Sequence, residues 1–431
     1  MISVWQNTLD IPGFPSLDKD INTEVLIIGG GIAGILCAYK LKEAGVDYTL
    51  LEADEICKKT TADTTAKITS QHGLIYTRLE KEFNSEFARL YFEANEEAIK
   101  EYELLCRDID CDYRKADSYV YSLCDSEKIK KEALVLEPLK IPCKYVTRSE
   151  LPFAISGAVK FENQAKFNPL KFISHIAKGL NIYEHSRVVE MKRNIAYTDK
   201  HRVTAKKIIV ATHFPFINKH GLYFLKMYQE RSYVFALENA KCVEGMYLDE
   251  KKDGLSFRSY KNLLLLGGSN HRTGKDGCGW ERLEAFRKKY YPESIIKYRW
   301  ATQDCITLDG VPYIGRYSRL SENLYVATGF NKWGMSSAMV SSRLLCDMIL
   351  GKENKYEKIF SPTRSILRKQ LYTNAFEATC GWLSFGKKRC PHLGCGLSYN
   401  KYEHTWDCSC HGSRFAEDGR LVDNPANSDM I

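Results

Sequence analysis

The fold class predicted for this 431-residue sequence is α/β. Three observations predict it. A strand, glycine turn, helix and second strand follow one another from Thr23 to Glu52. Apolar runs of antiparallel character occupy Tyr228 to Leu237 and Gly245 to Leu266. A late strand, Leu324 to Ala327, leads through a glycine loop into a long apolar helix, Ser336 to Leu350.

The first unit reads as a dinucleotide cradle. Val25 to Ile28 is a short apolar run of buried-strand type, and Gly29, Gly31 and Gly34 follow with G-x-G-x-x-G spacing. The first glycine makes the tight turn, the second lets a pyrophosphate approach the backbone, and the third lets the helix pack against the strand. Ile32 and Ala33 stand at the N-terminus of that helix, where free N–H groups and the positive dipole end favour an anion. Ile35, Ala38 and Leu41 recur at spacings of three, and Gly45 is a natural stop. The second strand, Tyr48 to Leu51, ends at Glu52, whose carboxylate is placed to accept from ribose hydroxyls. This is the core of a Rossmann-type domain.

Between these units the threonine-rich stretch Lys58 to Gly73 reads as a loop able to offer hydroxyls and N–H groups to a ligand. Leu79 to about Arg107 has the periodicity of one amphipathic cap helix. Tyr113 to Leu123 alternates as a strand and Ser126 to Leu134 is helical. A helix opens at Asn168-Pro169-Leu170 and runs to about Gly179, followed by strands at Asn181 to Tyr183, Arg187 to Lys192 and Thr204 to Val210. Ser269 to Gly279 is expected to be a polar loop, Trp280 to Tyr290 a helix, and residues 352 to 380 an irregular linker.

Composition excludes several classes. The 44% hydrophobic and 27% charged content is that of a globular chain large enough for two or three domains. Its net charge of +8 is dispersed among acids, and no motif supports nucleic-acid binding. The N-terminal twenty residues lack a basic segment followed by an apolar one, and no window approaches 18 apolar residues, so a cytoplasmic protein without a membrane span is expected. Eleven of the fifteen cysteines are scattered singly and read as buried small apolar residues.

The other four cysteines belong to the most specific pattern in the chain. Cys390 and His392 form C-x-H; fifteen residues later Cys408 and His411 form C-x-x-H. Two thiolates and two imidazoles suit zinc by softness alone. A Rieske [2Fe–2S] centre is the better fit, with Cys390 and Cys408 on one iron and His392 and His411 on the other. His404, between the two loops, reads as a surface residue.

Taken together, these motifs resemble the fusion family in which a flavoprotein of the glycine or D-amino acid oxidase type carries a C-terminal Rieske domain. The likeness rests on Gly29 to Gly34, Thr64-Thr65-Ala66-Lys67 with Gln71-His72-Gly73, Ala211-Thr212-His213, Asp309 to Gly315, Gly329 to Met335 and both cluster loops. It implies FAD and a [2Fe–2S] cluster. It places Thr64 and Thr65 near the pyrophosphate, with Ala66, Lys67 and Ala211 in the same cofactor-binding set, Val188 or Val189 beside the adenine, and the stretch Gly329 to Met335, with Gly329, Gly334 and Met335 as contacts, beside the flavin ring. It also implies a flavoprotein portion over 1–372, with FAD-binding segments at about 1–79, 151–215 and 306–352. An interleaved antiparallel substrate domain would occupy about 80–150 and 216–305, and a small all-β Rieske domain 373–431. In many Rieske domains the counterparts of Cys395 and Cys410 form a disulfide.

Two departures from the family pattern matter. Similar oxidases have a carboxylate-clamping arginine near position 304, where this chain has Asp304. The Rieske part is short before Cys390, so its cluster is expected to lean on the flavin domain. A single G-x-G-x-x-G leaves no second dinucleotide site for NAD(P)H. The expected activity is therefore an amine or amino-acid dehydrogenase, passing electrons from flavin to cluster to an external acceptor, a small acidic redox protein or a quinone. The alternative is an electron-transfer protein between a carrier and a protein or quinone partner. Asp304 tilts the expected substrate toward a cationic amine. Lys67 and His72 are candidates to meet flavin or substrate, the alternatives being a phosphate contact and a structural hydrogen bond; Arg231 and Arg258 either bind an anion or form surface ion pairs, and Trp333 either walls the ring or packs in the core.

Overall fold

The computed structural model describes residues 2–7, 11–217, 221–275, 277–384 and 386–430. Met1 and residues 8–10 of the N-terminal stretch read above, and Asp276 of the expected loop, lie outside them.

Two large sheets face a common interior. In the eight-stranded sheet, Ile21–Ile28 runs parallel to Tyr48–Leu51 on one side and to Arg202–Val210 on the other, which in turn pairs in parallel with Leu324–Thr328. Val25, Leu26 and Ile27 are fully buried, which explains an unbroken apolar run in place of alternation. The helix Ile32–Glu43 follows the glycine turn and packs beside Gly334–Ile349. A Cβ on Gly34 would run into the carbonyl oxygen of Gly29, so only glycine lets this helix start so close to its strand.

In the nine-stranded sheet, Ile295–Thr307, Met227–Glu238, Leu263–Arg272, Ser256–Tyr260, Met246–Asp249, Arg114–Ser122, Gly157–Lys166 and Lys67–Ile68 lie in that order, with Lys144–Val146 paired to Gly157–Lys166. A third, four-stranded antiparallel sheet spans Leu397–Asn400 to Leu421–Asp423. No helix among the described residues is long and apolar enough to cross a membrane.

Several expectations are corrected. The cap helix is two, Tyr76–Glu82 and Ser85–Leu105, divided where Asn84 caps the second by accepting from Phe87 N. The loop expected at 269–279 begins late, because Leu263–Arg272 stays paired through Arg272 opposite Glu230. Of 187–192 only Glu190–Lys192 is strand. Lys369–Trp382, within the expected linker, is a helix whose aromatic residues Tyr372 and Phe376 face solvent. Gly157–Lys166 and Ile295–Thr307 are strands the sequence reading lacked, and Gly157–Lys166, inside the expected FAD-binding segment 151–215, pairs instead with Arg114–Ser122. Of the eleven scattered cysteines six are buried, while Cys124, Cys242 and Cys380 are exposed.

Candidate functional site

A cavity of about 470 Å³ lies between the two large sheets, within the range of small-molecule sites. Of the cofactor-binding residues named from sequence, Gly29, Gly31, Ile32, Ala33, Glu52, Thr64, Thr65, Lys67, Val188, Ala211, Gly329, Gly334 and Met335 line it. Gly34 and Ala66 do not. Gly34 acts through packing, and Ala66, fully buried at φ +53°, turns the threonine loop.

The cradle end is built for an anion. Gly29 has φ +110°, and a Cβ there would stand 2.6 Å from the Ala211 carbonyl oxygen. Gly31 is the N-cap of Ile32–Glu43, Ile32 N donates to Thr61 Oγ1 at 3.1 Å, and the N-terminal dipole end borders the cavity. Glu52 accepts from Gly30 N at 2.6 Å and from Asp54 N at 2.9 Å, which fixes its carboxylate at the strand end. His213 lines the cavity too, and its buried Nε2 has no hydrogen-bond partner among the described residues. An unsatisfied buried nitrogen, glycines that admit no side chain and a helix N-terminus bordering the cavity all fit a bound dinucleotide.

The opposite end carries charge. Asp304 and Thr302 project from alternate positions of Ile295–Thr307, with Ser232, Asn270, Lys252 and Lys332 on the same wall. Burial raises the Asp304 carboxyl to about 6 despite nearby Lys332. Burial also works against ionised Glu230, yet Lys332 and Lys252, each 2.9 Å away, hold it down to about 2. Lys67 donates to Tyr247 O and Ser256 Oγ; burial, with Arg258 and Lys166 alongside, brings its ammonium down to about 7. His72 also lines the cavity but is tied into the core. Its Nε2 lies 2.8 Å from the Thr69 carbonyl, which can only accept, so Nδ1 takes the Tyr91 hydroxyl proton at 2.6 Å. Burial pushes this imidazole down to about 3, and its ring stacks on Trp333 at 4.7 Å.

Arg231 and Arg258 are not anion sites of this cavity. Arg258 is buried and donates to the Thr65, Ala66 and Phe167 carbonyls, bracing the threonine loop from behind. Arg231 pairs with Glu403 of the C-terminal module. Glu403 also meets Arg414, which binds Asp407 and Asp423 at 3.1 and 3.0 Å, so a buried ion network joins the two parts. The Asp309-Gly310-Val311 turn is structural as well, with Arg364 bidentate on Asp309 at 3.1 Å.

The second site lies between the loops around Cys390 and Cys408. Cys390, Cys408 and His411 are buried, His392 is half-buried, and the two imidazole centroids are 5.0 Å apart. Burial holds both histidines below the ordinary imidazole range, in the neutral form that ligates a metal. The buried Nδ1 of His411 has no hydrogen-bond partner among the described residues. Two thiols and two imidazoles converging there fit a Rieske cluster. Cys395 and Cys410 are separate thiols with Sγ atoms within 4.8 Å of each other and of Cys408. His404 is exposed and pairs with Glu417.

The two sites share a wall. Ala211, Thr212 and His213 line the cavity, and the next residue, Phe214, packs its ring 6.4 Å from His392 and 6.5 Å from His411. Asp423, Asn424 and Asn427, from the C-terminal module, also line the cavity, and Asn424 Nδ2 donates to the Thr212 and Phe214 carbonyls. These contacts, with Ser232 and Asn270, escaped the sequence reading, while Lys332 lies in the Gly329 to Met335 stretch it singled out. Only Thr302 carried a signal, its spacing of two from Asp304.

Comparison with known proteins identifies two families along the chain. The FAD dependent oxidoreductase (DAO) family matches residues 24–348 and the Rieske [2Fe-2S] domain family residues 374–430. The chain is 34% identical to YhfW of Bacillus subtilis (strain 168), named as a Rieske 2Fe-2S iron-sulfur protein, across 98% of this chain and 95% of that one. It is 25% identical to gamma-glutamylputrescine oxidoreductase of Escherichia coli (strain K12), across 80% of this chain and 87% of that one. Glycine oxidase from Geobacillus kaustophilus shares the fold with a TM-score of 0.68 at 16% identity, covering 80% of this chain and 100% of that one.

Proposed function

The chain belongs to the FAD dependent oxidoreductase family and ends in a Rieske [2Fe-2S] domain, and from that premise we propose that it dehydrogenates an amine or amino acid and delivers the electrons through its cluster to an external acceptor. When bound, FAD supplies hydride acceptance from the donor carbon, and the cluster one-electron transfer.

In this reading Gly29, Gly31, Ile32 and Ala33 hold the pyrophosphate, Glu52 the ribose and Val188 the adenine. Thr64, Thr65 and Ala211 border the phosphates, while Gly329, Gly334 and Met335 lie beside the ring, with Lys67 at its substrate side. Cys390, Cys408, His392 and His411 hold the two irons. Asp304 replaces a carboxylate clamp by an acid, so the preferred donor is a cationic amine whose ammonium pairs with it. Lys332 orients the same wall and is itself neutralised by Glu230. The acceptor is a small acidic redox protein or a quinone.

One observation carries the proposal. The loop Ala211 to His213 lines the cavity and Phe214 touches both cluster histidines, so one short peptide separates the two centres. The test is anaerobic mixing of holoprotein with matched amines that carry or lack a carboxylate. Flavin bleaching by the carboxylate-free amines, followed by a reduced-cluster EPR signal, is expected. Equal rates for both series would remove the cationic-amine assignment.

A further inference from the structure

We infer that the flavin-bearing portion completes the cluster site: Arg272, Gln229 and Gln303 are positioning residues for the loop that carries Cys408 and His411, and Arg272 raises the cluster's midpoint potential. The inference rests on the cluster being held as proposed above, which iron analysis of the holoprotein checks independently.

Four consecutive carbonyls of that loop are each held by a side chain from the nine-stranded sheet. Arg272 donates from Nε to Ser409 O at 2.8 Å and from Nη2 to Cys410 O at 2.8 Å. Gln229 Nε2 donates to His411 O at 2.9 Å and Gln303 Nε2 to Gly412 O at 2.8 Å. The three residues come from three adjacent strands, Leu263–Arg272, Met227–Glu238 and Ile295–Thr307. The short C-terminal module thus borrows the scaffold it lacks before Cys390.

The donors are themselves fixed. The Arg272 guanidinium lies 4.6 Å over the Tyr228 ring and donates from Nη1 to Asn374 Oδ1 at 3.1 Å. Both amide hydrogens of each glutamine have acceptors. Gln229 also reaches Asn424 O, Gln303 also reaches Gln229 Oε1, and Thr273 donates to Gln303 Oε1. The backbone fits closely, since a Cβ on Gly412 would stand 2.6 Å from Gln229 Cβ. Such saturation fixes each amide's orientation and leaves the loop one position.

Reduction adds one negative charge to the cluster. A half-buried guanidinium bonded to the carbonyls of Ser409 and Cys410 favours the reduced form, and cluster potentials follow net charge and hydrogen bonding. Glu377, the one acid of the adjoining helix Lys369–Trp382, acts on Arg272 through space but also pairs with Lys275 at 2.7 Å, so its charge is shared between the two cations.

The test is an EPR-monitored redox titration of holoprotein with iron and FAD contents determined. Arg272→Gln should lower the reduced-to-oxidised ratio at fixed potential at least tenfold, a fall of about 59 mV for one electron. Arg272→Lys, which keeps the charge, should recover most of it. Loss of iron with FAD retained in Arg272→Gln would equally support the holding role. Full iron content with a midpoint changed less than twofold in ratio would overturn the inference. Should Arg272→Gln fail to fold, Gln229→Met with Gln303→Met serves. A shifted reduced-cluster EPR spectrum beside an unchanged flavin spectrum is expected, and an unshifted one overturns the proposal.

Discussion

Replacing Asp304 by asparagine removes a carboxyl that burial raises from 3.8 to about 6, and the sign of the effect reverses between empty and substrate-bound protein. Without substrate, the unfolded chain releases this proton near pH 3.9 while the folded chain keeps it to about pH 6, so stability falls as pH rises across that interval. At 1.36 kcal/mol per pH unit the full penalty is roughly 3 kcal/mol at most, reduced by whatever water in the cavity screens. Of this, about 1.3 kcal/mol develops between pH 5 and 7. An ammonium beside Asp304 requires the ionised form, whose fraction rises about tenfold over the same range for a group of pKa 6. Wild type should therefore bind a cationic amine about tenfold more tightly at pH 7 than at pH 5 while losing stability. Asp304→Asn should bind weakly at both and lack this stability loss. Denaturant unfolding and amine-concentration dependence of anaerobic flavin reduction at both pH values measure the two arms. Equal amine affinity in the variant, with the same pH response, would refute the pairing.

Three further predictions test other joints of the structure. Gly34→Ala forces the helix Ile32–Glu43 away from the Gly29 carbonyl and should release FAD while iron content stays normal, read by cofactor analysis of the purified protein. Arg414→Ala leaves Asp407 and Asp423 without their buried cation and Glu403 with Arg231 alone, a loss of about 3–5 kcal/mol, and should appear as a lowered melting transition with early loss of cluster absorbance. Phe214→Leu removes the ring between cavity and cluster histidines. It should slow cluster reduction several-fold in stopped-flow traces while flavin bleaching keeps its wild-type rate.

Local patterns were legible because their chemistry is local. The cradle glycines, Glu52 and the two cluster loops each declare themselves within a few residues. What escaped depends on partners far along the chain. Ile295–Thr307 carries Lys297 and Arg299 beside apolar residues, so nothing marked it as the strand that presents Asp304 to the cavity and Gln303 to the cluster loop. Arg231 resembled a ligand-binding cation on a substrate strand, but its partner Glu403 lies 172 positions later. Lys369–Trp382 read as linker because its aromatic residues lie outward and only Asn374, Ala378 and Gly381 are buried, with Gly381 against Cys395 and Cys410. Arg258 is neither an anion site nor a surface ion pair, since it donates to the carbonyls of Thr65, Ala66 and Phe167.

The central claim is the order of electron flow from donor through flavin to cluster. Anaerobic rapid mixing of holoprotein with amines, amino acids and NAD(P)H, following flavin absorbance and freeze-quenched EPR together, tests it most directly. An amine that bleaches the flavin, with the reduced Rieske signal rising afterwards at the rate the flavin reoxidises, is the predicted result. Charging of both centres only by NAD(P)H or by a reduced carrier protein, with every amine inert, would contradict it and make the chain an electron-transfer component.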